Sequence, residues 1–310
     1  MARIIQIFCF IALLVGLLGT EIMAPRVAAQ TIDLTSAHGD YEKGNFGRAY
    51  RSFQKAGEAG LAEAQYWLGL LYDRGQGVKR DRGVALGWFG KAAAQGQGEA
   101  QRVVGVYFEL GEAVARDTTA SPAWYRRAAA QENAKAMRNL GQLHVRGRGV
   151  ERDFAAAADL FRRAVNLGNA KAMRNLGYLY YFGKGVKQDR VRASELFAQS
   201  AAAGLDKAKY SLGFVYYRGD GVVWDLATSA YHFGQAAEGG NGDAQLMLSR
   251  MYLLGEGVAA DPAKAYFWAL LGAVQNPGLA EWHFDKLRGQ LSVRDMDRIR
   301  AQSRAWNPRG

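Results

Sequence analysis

The sequence predicts an all-α fold in which helix-turn-helix repeats of 36 residues pack side by side. Three observations carry this prediction. Small residues recur at fixed positions every 36 residues, each interval holds two stretches with apolar residues at helical spacing, and the 310 residues include only 5 prolines. Because one such repeat buries too little surface to fold alone, neighbouring repeats must stack against each other.

Several columns of like residues define the period. The eight residues from Ala134 to Gly141 recur unchanged from Ala170 to Gly177. One glycine column is Gly69, Gly105, Gly141, Gly177 and Gly213, with Ser249 in register; a second is Gly75, Gly111, Gly147, Gly183, Gly219 and Gly255; an aspartate column is Asp81, Asp117, Asp153, Asp189, Asp225 and Asp261. Chance does not sustain these columns over six repeats, so the repeat is established from sequence alone.

Each repeat is predicted to hold two helices. The first runs approximately from Glu63 to Arg74, and Gly75 provides the left-handed residue that ends it. Asp81 is placed to cap the second helix by accepting hydrogen bonds from its free backbone N–H groups. That second helix ends at Gly96, and the small residues such as Gly69 allow neighbouring helix axes to approach closely.

These residues form a specific motif. Leu68-Gly69-x-x-Tyr72-x-x-Gly75-x-Gly77-Val78-x-x-Asp81, followed by Trp88-Phe89-x-x-Ala92-Ala93-x-x-Gly96, resembles the Sel-1-like repeat, a relative of the tetratricopeptide repeat. The resemblance covers about residues 48–275, in roughly six and a half units. It implies a right-handed α/α superhelical solenoid of 36-residue helix-turn-helix repeats. It also implies partner binding, since such proteins are typically adaptors in signalling and envelope complexes, and it supplies no catalytic residues.

The repeat pattern is irregular at three places. In the second unit Ala113 replaces a loop glycine, Glu132 replaces a glycine at the helix end, and Ser121-Pro122 indicates a late helix start. These differences predict a longer loop and a shorter second helix in that unit. We expect a degenerate capping helix around residues 32–43 and a final amphipathic helix starting at Ser292.

The first residues have the layout of a secretory signal peptide. An apolar stretch from Ile4 to Leu18 follows Arg3, and Val27-Ala28-Ala29 provides a cleavage site before Gln30. We therefore divide the chain into a signal peptide (1–29), an N-terminal cap (30–47), the repeat solenoid (48–277) and C-terminal capping helices (278–310). The predicted location is periplasmic or secreted, with no stable membrane span after cleavage.

Chemistry-bearing motifs are scarce. The single cysteine, Cys9, excludes a disulfide scaffold, and the four histidines lack metal-binding spacing. The Gly-x-Gly-Val loops recur between helices and do not follow a strand, so they indicate turns and not phosphate sites. We expect no enzyme activity, no cofactor and no metal. Despite the net charge of +11, nucleic acid is disfavoured because the basic residues are scattered and the chain is predicted to be exported.

The positions that the repeat leaves variable indicate the functional surface. On the first helices, positions equivalent to 66, 70 and 73 lie opposite the core face. There an arginine series leads into five aromatic residues, and both types are enriched at binding hot spots. The predicted partner-binding residues are Arg102, Arg138, Arg174, Tyr178, Tyr181, Tyr210, Phe214 and Tyr217. Two interpretations stay open: the rings line a binding groove, or they are buried between neighbouring first helices.

The functional prediction is a non-catalytic adaptor or regulator of the bacterial cell envelope that binds a partner segment in the concave groove. The arginines favour an envelope protein partner with an acidic surface or segment. An alternative is a protein that binds an envelope glycan such as peptidoglycan or an acidic polysaccharide, with aromatic faces for the sugar rings. A hydrolase is a weaker alternative.

Overall fold

The computed structural model describes residues 33–308, and its regular secondary structure is helical throughout this range. The predicted signal peptide and its cleavage site lie outside the described residues. The helices are α1 (Thr35–Glu42), α2 (Phe46–Glu58), α3 (Ala62–Arg74), α4 (Arg82–Ala94), α5 (Gly98–Leu110), α6 (Ala120–Ala130), α7 (Ala134–Arg146), α8 (Phe154–Asn166), α9 (Ala170–Phe182), α10 (Arg190–Ala202), α11 (Asp206–Arg218), α12 (Leu226–Glu238), α13 (Gly242–Leu254), α14 (Pro262–Ala273), α15 (Pro277–Leu287) and α16 (Val293–Ala305). The predicted α/α repeat solenoid is confirmed.

The helix ends follow the predicted signals. Gly75, after α3, has a φ of 69°, the left-handed conformation that glycine adopts without steric cost. Asp81 accepts a hydrogen bond from the N–H of Val84 at 3.0 Å, which caps α4. The aspartates at the equivalent position of four other repeats also cap their second helices: Asp153, Asp189, Asp225 and Asp261. In the irregular second repeat Asp117 lies before the cap residue Thr119 and accepts from the N–H groups of Thr119 and Ala120.

A glycine-to-ring contact joins the two helices of a repeat. A Cβ placed on Gly177 of α9 would lie 2.7 Å from Cε1 of Phe197 on α10, closer than van der Waals contact allows. The same relation holds between Gly69 and Phe89, and between Gly213 and Phe233. In the last repeat Ser249 replaces the glycine, and Ala269 stands twenty residues later where the others have a ring. The column of small residues therefore marks a close helix crossing.

The chain divides into two compact units at Ala136. The first unit has a core of alanines and rings, with Phe53 and Phe89 almost fully buried. The second unit has its own core, in which Phe197 and Phe233 occupy the corresponding positions. None of the helices between residues 33 and 308 has the length and hydropathy of a transmembrane span.

The irregular second repeat has the shorter second helix that the sequence predicts. Helix α6 has 11 residues, whereas α4 and α8 have 13. Ala113 and Glu132, which replace glycines, keep the left-handed backbone with φ of 58° each. Side chains with a Cβ rarely adopt this conformation, so the repeat geometry imposes it at a local cost.

The two ends of the described chain are also helical. Leu34 and Ala37, at the start of the chain, are buried against the core that contains Phe53. At the other end Ser292 caps α16, and Ile299 is only 2% exposed. Val293, at the start of α16, is 70% exposed, so it does not cover the last repeat.

We predict that Gly177→Leu destabilises the protein by about 1–3 kcal/mol, since the added atoms overlap the buried Phe197 ring. Gly234→Leu in α12 is the matched control, because a Cβ at Gly234 meets no atom within 4 Å. Urea unfolding of both variants measures the difference. Equal free energies of unfolding for Gly177→Leu and the parent would show that the crossing is not close.

Candidate partner-binding surface

Arg102, the one predicted residue in the first unit, is neutralised by a neighbouring carboxylate. Its Nε donates to Oε2 of Glu99 at 2.7 Å, within the same helix. Asn133 Nδ2 donates to Oε1 of Glu99 at 3.2 Å. Although burial acts to raise it, the pKa of Glu99 is lowered by its hydrogen bond to Arg102. Arg102 therefore contributes little net positive charge to the surface.

The other seven predicted residues belong to the second unit. Arg138 on α7 donates through Nη1 to Oδ1 of Asn139 at 2.9 Å. Arg174 on α9 lies over the ring of Tyr178, with 4.7 Å from its Cζ to the ring centroid. Its Nη2 donates to the Tyr178 hydroxyl, and its Nε donates to the carbonyl of Lys207, both at 3.1 Å.

The hydroxyl of Tyr178 links α9 to α11. Ser211 Oγ donates to the carbonyl of Lys207 at 2.9 Å, which uses its single hydrogen. The 2.9 Å contact between Tyr178 and Ser211 is therefore donated by the tyrosine. Arg174 is left with a full positive charge, since no carboxylate of the described residues is among its partners.

An aromatic pocket of about 190 Å³ lies between α9 and α11. It gathers four of the five predicted aromatic residues. The lining residues are Tyr178, Tyr181, Phe182, Phe197, Tyr210, Ser211, Phe214 and Val215. We call this the aromatic pocket. Phe182, which is 56% exposed, was missed because it is the last residue of α9, where the helical pattern ends.

The four predicted rings of this pocket, Tyr178, Tyr181, Tyr210 and Phe214, are half-buried: they pack against core residues and also line the pocket. Tyr178 packs edge-on against Phe197, with ring centroids 5.1 Å apart. The ring of Tyr210 packs against Phe233 in a tilted arrangement, with ring centroids 5.6 Å apart. Burial, followed by the nearby Asp243 carboxylate, raises the pKa of Tyr210. Each ring thus has one part against its own second helix while it also lines the pocket.

Two tyrosine hydroxyls bind carboxylates of the following repeat. Tyr181 donates to Oδ2 of the buried Asp220, which also pairs with Arg190 at 2.7 Å and Arg218 at 3.1 Å. Tyr217 donates to Oε2 of Glu256 at 2.8 Å and lies outside the aromatic pocket. Burial, then the Asp220 bond, raises the pKa of Tyr181. These contacts join adjacent repeats, and no sequence pattern indicates that Asp220 lies in this position.

A second pocket, of about 290 Å³, adjoins the first because Tyr210 lines both. It lies between α11, α13 and α15, and we call it the terminal pocket. Its lining residues are Tyr210, Asp243, Leu246, Met247, Arg250, Leu279, Trp282 and His283. Helix α15, which the sequence predicted only as a cap, provides one wall.

His283 in the terminal pocket is held as a neutral imidazole. Ser249 Oγ donates its hydrogen to the carbonyl of Ala265 at 2.7 Å, so it accepts from Nδ1 of His283 at 3.0 Å. Nε2 is then the unprotonated acceptor. Burial, with a smaller effect of the Arg250 charge, lowers the pKa of His283 to about 4.

Comparison with known proteins identifies the repeat. The Sel1 repeat profile matches six consecutive segments, at residues 62–97, 98–133, 134–169, 170–205, 206–241 and 242–277. The chain belongs to the Sel1 repeat family. Sel1 repeat proteins generally mediate protein–protein interactions, and their solenoid is typically a non-catalytic scaffold.

Two solved structures support the assignment. A Sel1 repeat protein from Oxalobacter formigenes is 30% identical over 76% of this chain and 95% of its own, with a TM-score of 0.72. The protective antigen c5321 of uropathogenic Escherichia coli strains, which has the same repeat fold, is 28% identical over 89% of this chain and 68% of its own, with a TM-score of 0.67. No curated protein matches the chain.

We predict that His283 makes the stability of this Sel1 repeat protein sensitive to acid. Because the folded-state pKa of about 4 lies below the ordinary value of 6.5, the unfolded chain binds a proton first as the pH falls. The stabilisation is complete above pH 6.5 and is lost between 6.5 and 4, on the order of 3 kcal/mol.

Urea unfolding over this pH range, on the parent and on His283→Asn, measures the effect. The asparagine keeps a donor for Ser249 but cannot be protonated, so its stability should fall less steeply. Identical slopes for the two proteins would show that His283 is not held neutral.

Proposed function

We propose that this protein is a non-catalytic adaptor or regulator of the bacterial cell envelope that binds a segment of a partner protein on the first-helix face of its second unit. The observation that carries the proposal is the aromatic pocket, where Tyr178, Tyr210 and Phe214 converge beside the cationic Arg174. Rings with one polar end and arginine are the residues that contribute most to protein interfaces.

The pocket has the size and polarity of an anchor site for a protein segment. A volume of about 190 Å³ holds one large side chain, and it is too small for a drug-sized ligand, which occupies about 300 Å³ or more. Phe182 exposes an apolar ring at the rim, so binding removes apolar surface from water. Arg174 favours an acidic residue beside the anchored side chain.

The polar contacts of the second unit support a non-catalytic role. Ser249 and His283 are adjacent, as a nucleophile and its base would be. However, the serine donates to the Ala265 carbonyl and the histidine donates to the serine, which is the reverse of base activation. Both side chains are buried, so this pair stabilises the packing of α15.

The envelope location rests on the signal-peptide layout of residues 1–29. We predict that the mature protein begins at Gln30. Intact-mass measurement of the protein recovered from an envelope fraction tests this, and a mass that includes residues 1–29 would contradict export by cleavage.

Site-specific photocrosslinking tests partner binding. We predict that benzoylphenylalanine in place of Phe182 captures one discrete partner protein in living bacterial cells. Tyr231 on α12 is the matched control, because its side chain is similarly exposed, at 61%, but it lies on a second helix. Phe214→Ala and Arg174→Glu should each reduce the crosslink, the former by about 2 kcal/mol of binding free energy if Phe214 is a hot spot.

Melting temperatures of both variants control for loss of folding. Crosslinking of equal strength from Phe182 and Tyr231 would contradict the proposed surface. Attachment to peptidoglycan or polysaccharide alone would favour the glycan-binding alternative.

A further inference from the structure

We propose that the terminal pocket is a second anchor site, which takes a large apolar side chain that has a basic residue beside it in the same partner segment. This inference rests on the proposed function, because the aromatic pocket would bind the neighbouring part of that segment. Four observations carry it: the exposed apolar walls, the charge of Asp243, the polar groups of Arg250 and His283, and the ring of Tyr210 that both pockets share.

The walls of the terminal pocket are apolar and open to solvent. Trp282 is 42% exposed and Leu279 is 65% exposed, although both lie on a helix that packs against α13 and α14. Leu246 and Met247 of α13 line the same pocket. A volume of about 290 Å³ corresponds to one large side chain, which would lie between the rings of Tyr210 and Trp282.

Asp243 provides a negative charge at the Tyr210 end. Its Oδ1 accepts a hydrogen bond from Nδ2 of Asn276 at 3.0 Å, which leaves Oδ2 available. Among the described residues no lysine or arginine forms an ion pair with it. A basic side chain of the partner would pair with this carboxylate, and the nearby faces of Tyr210 and Trp282 also attract cations.

Arg250 and His283 provide a donor and an acceptor at the other end. The Nε of Arg250 is buried and has no hydrogen-bond partner among the described residues. Its one carboxylate neighbour, Glu256, lies 3.6 Å from Nη2 and already accepts a hydrogen bond from Tyr217. The Arg250 side chain as a whole is 42% exposed, so the exposed N–H groups of its guanidinium can donate to a main-chain carbonyl of the partner. Nε2 of His283 is available to accept from a main-chain N–H.

The spacing matches an extended chain. Asp243 and Arg250 are seven residues apart on α13, about 10 Å along its axis, which is the length of about three residues of an extended segment. The two pockets share the ring of Tyr210, so the side chains that fill them would lie on either side of this ring, a few residues apart in an extended segment. Arg174 lies beside the aromatic pocket and Asp243 lies in the terminal pocket, so the order of the acidic and basic residues fixes the direction of the segment.

Selection of random 12-residue peptides by mRNA display on the purified protein tests this. Enriched peptides should carry two large apolar residues about three positions apart, with an acidic residue next to one and a basic residue next to the other. Asp243→Lys should lower the affinity for a selected peptide about tenfold. A second version of that peptide, with its basic residue changed to glutamate, should bind the Asp243→Lys variant with the original affinity.

Asp159→Lys on the exposed surface of α8 is the matched charge control and should leave affinity unchanged. Trp282→Ala, checked for an unchanged melting temperature, should also weaken binding about tenfold. A library that yields no binding peptide contradicts the proposed function itself. Peptides that require Phe214 and Arg174 but bind Asp243→Lys and Trp282→Ala like the parent overturn the second anchor alone.

Discussion

The structure depends on the close crossing between the two helices of each repeat. A glycine on the first helix lies against a ring on the second, as Gly177 does against Phe197. Because the ring fills the space of a missing side chain, both helices are held at a fixed distance and rotation. In the last repeat both residues of this contact differ. The small Ala269 replaces the ring, which leaves room for Ser249 in place of the glycine, and Ser249 donates to the Ala265 carbonyl. Rotation of the first helix decides which side chains reach the binding surface.

A second set of glycines fixes one repeat against the next within the second unit. A Cβ on Gly185 would overlap the backbone of Phe154, and Gly221 stands in the same relation to Arg190. Backbone atoms cannot move aside as a flexible side chain can, so these loops hold each repeat in register with its neighbour. Residues 36 apart therefore lie side by side. This places Phe214 next to Tyr178 in the aromatic pocket and makes a continuous surface from single positions in each repeat.

The sequence predicts the period, the caps and the convergence of four aromatic residues, because these depend on the residue itself and on its place within one repeat. Asp81 caps α4 by accepting from the N–H of a residue three positions later, and Gly75 ends the helix that directly precedes it. Contacts between residues of different repeats are not predicted by the sequence pattern. The buried Asp220 is placed by Tyr181, 39 residues earlier, and no repeat column signals that pairing. Trp282 lies after the end of the 36-residue pattern. The repeat therefore does not predict that it lies beside Tyr210.

The three arginines of the predicted series differ because of the residue one helical turn before each. Arg102 has Glu99 at this position, which neutralises it, whereas Arg138 and Arg174 have Lys135 and Lys171. Cations in the first turn of a helix are opposed by the helix dipole, so these lysines do not stabilise their helices. Lys207 continues this row in the next repeat, and Asp243 ends it. The change of sign falls at the boundary between the two pockets, where a segment with one acidic and one basic end would bind in a single direction.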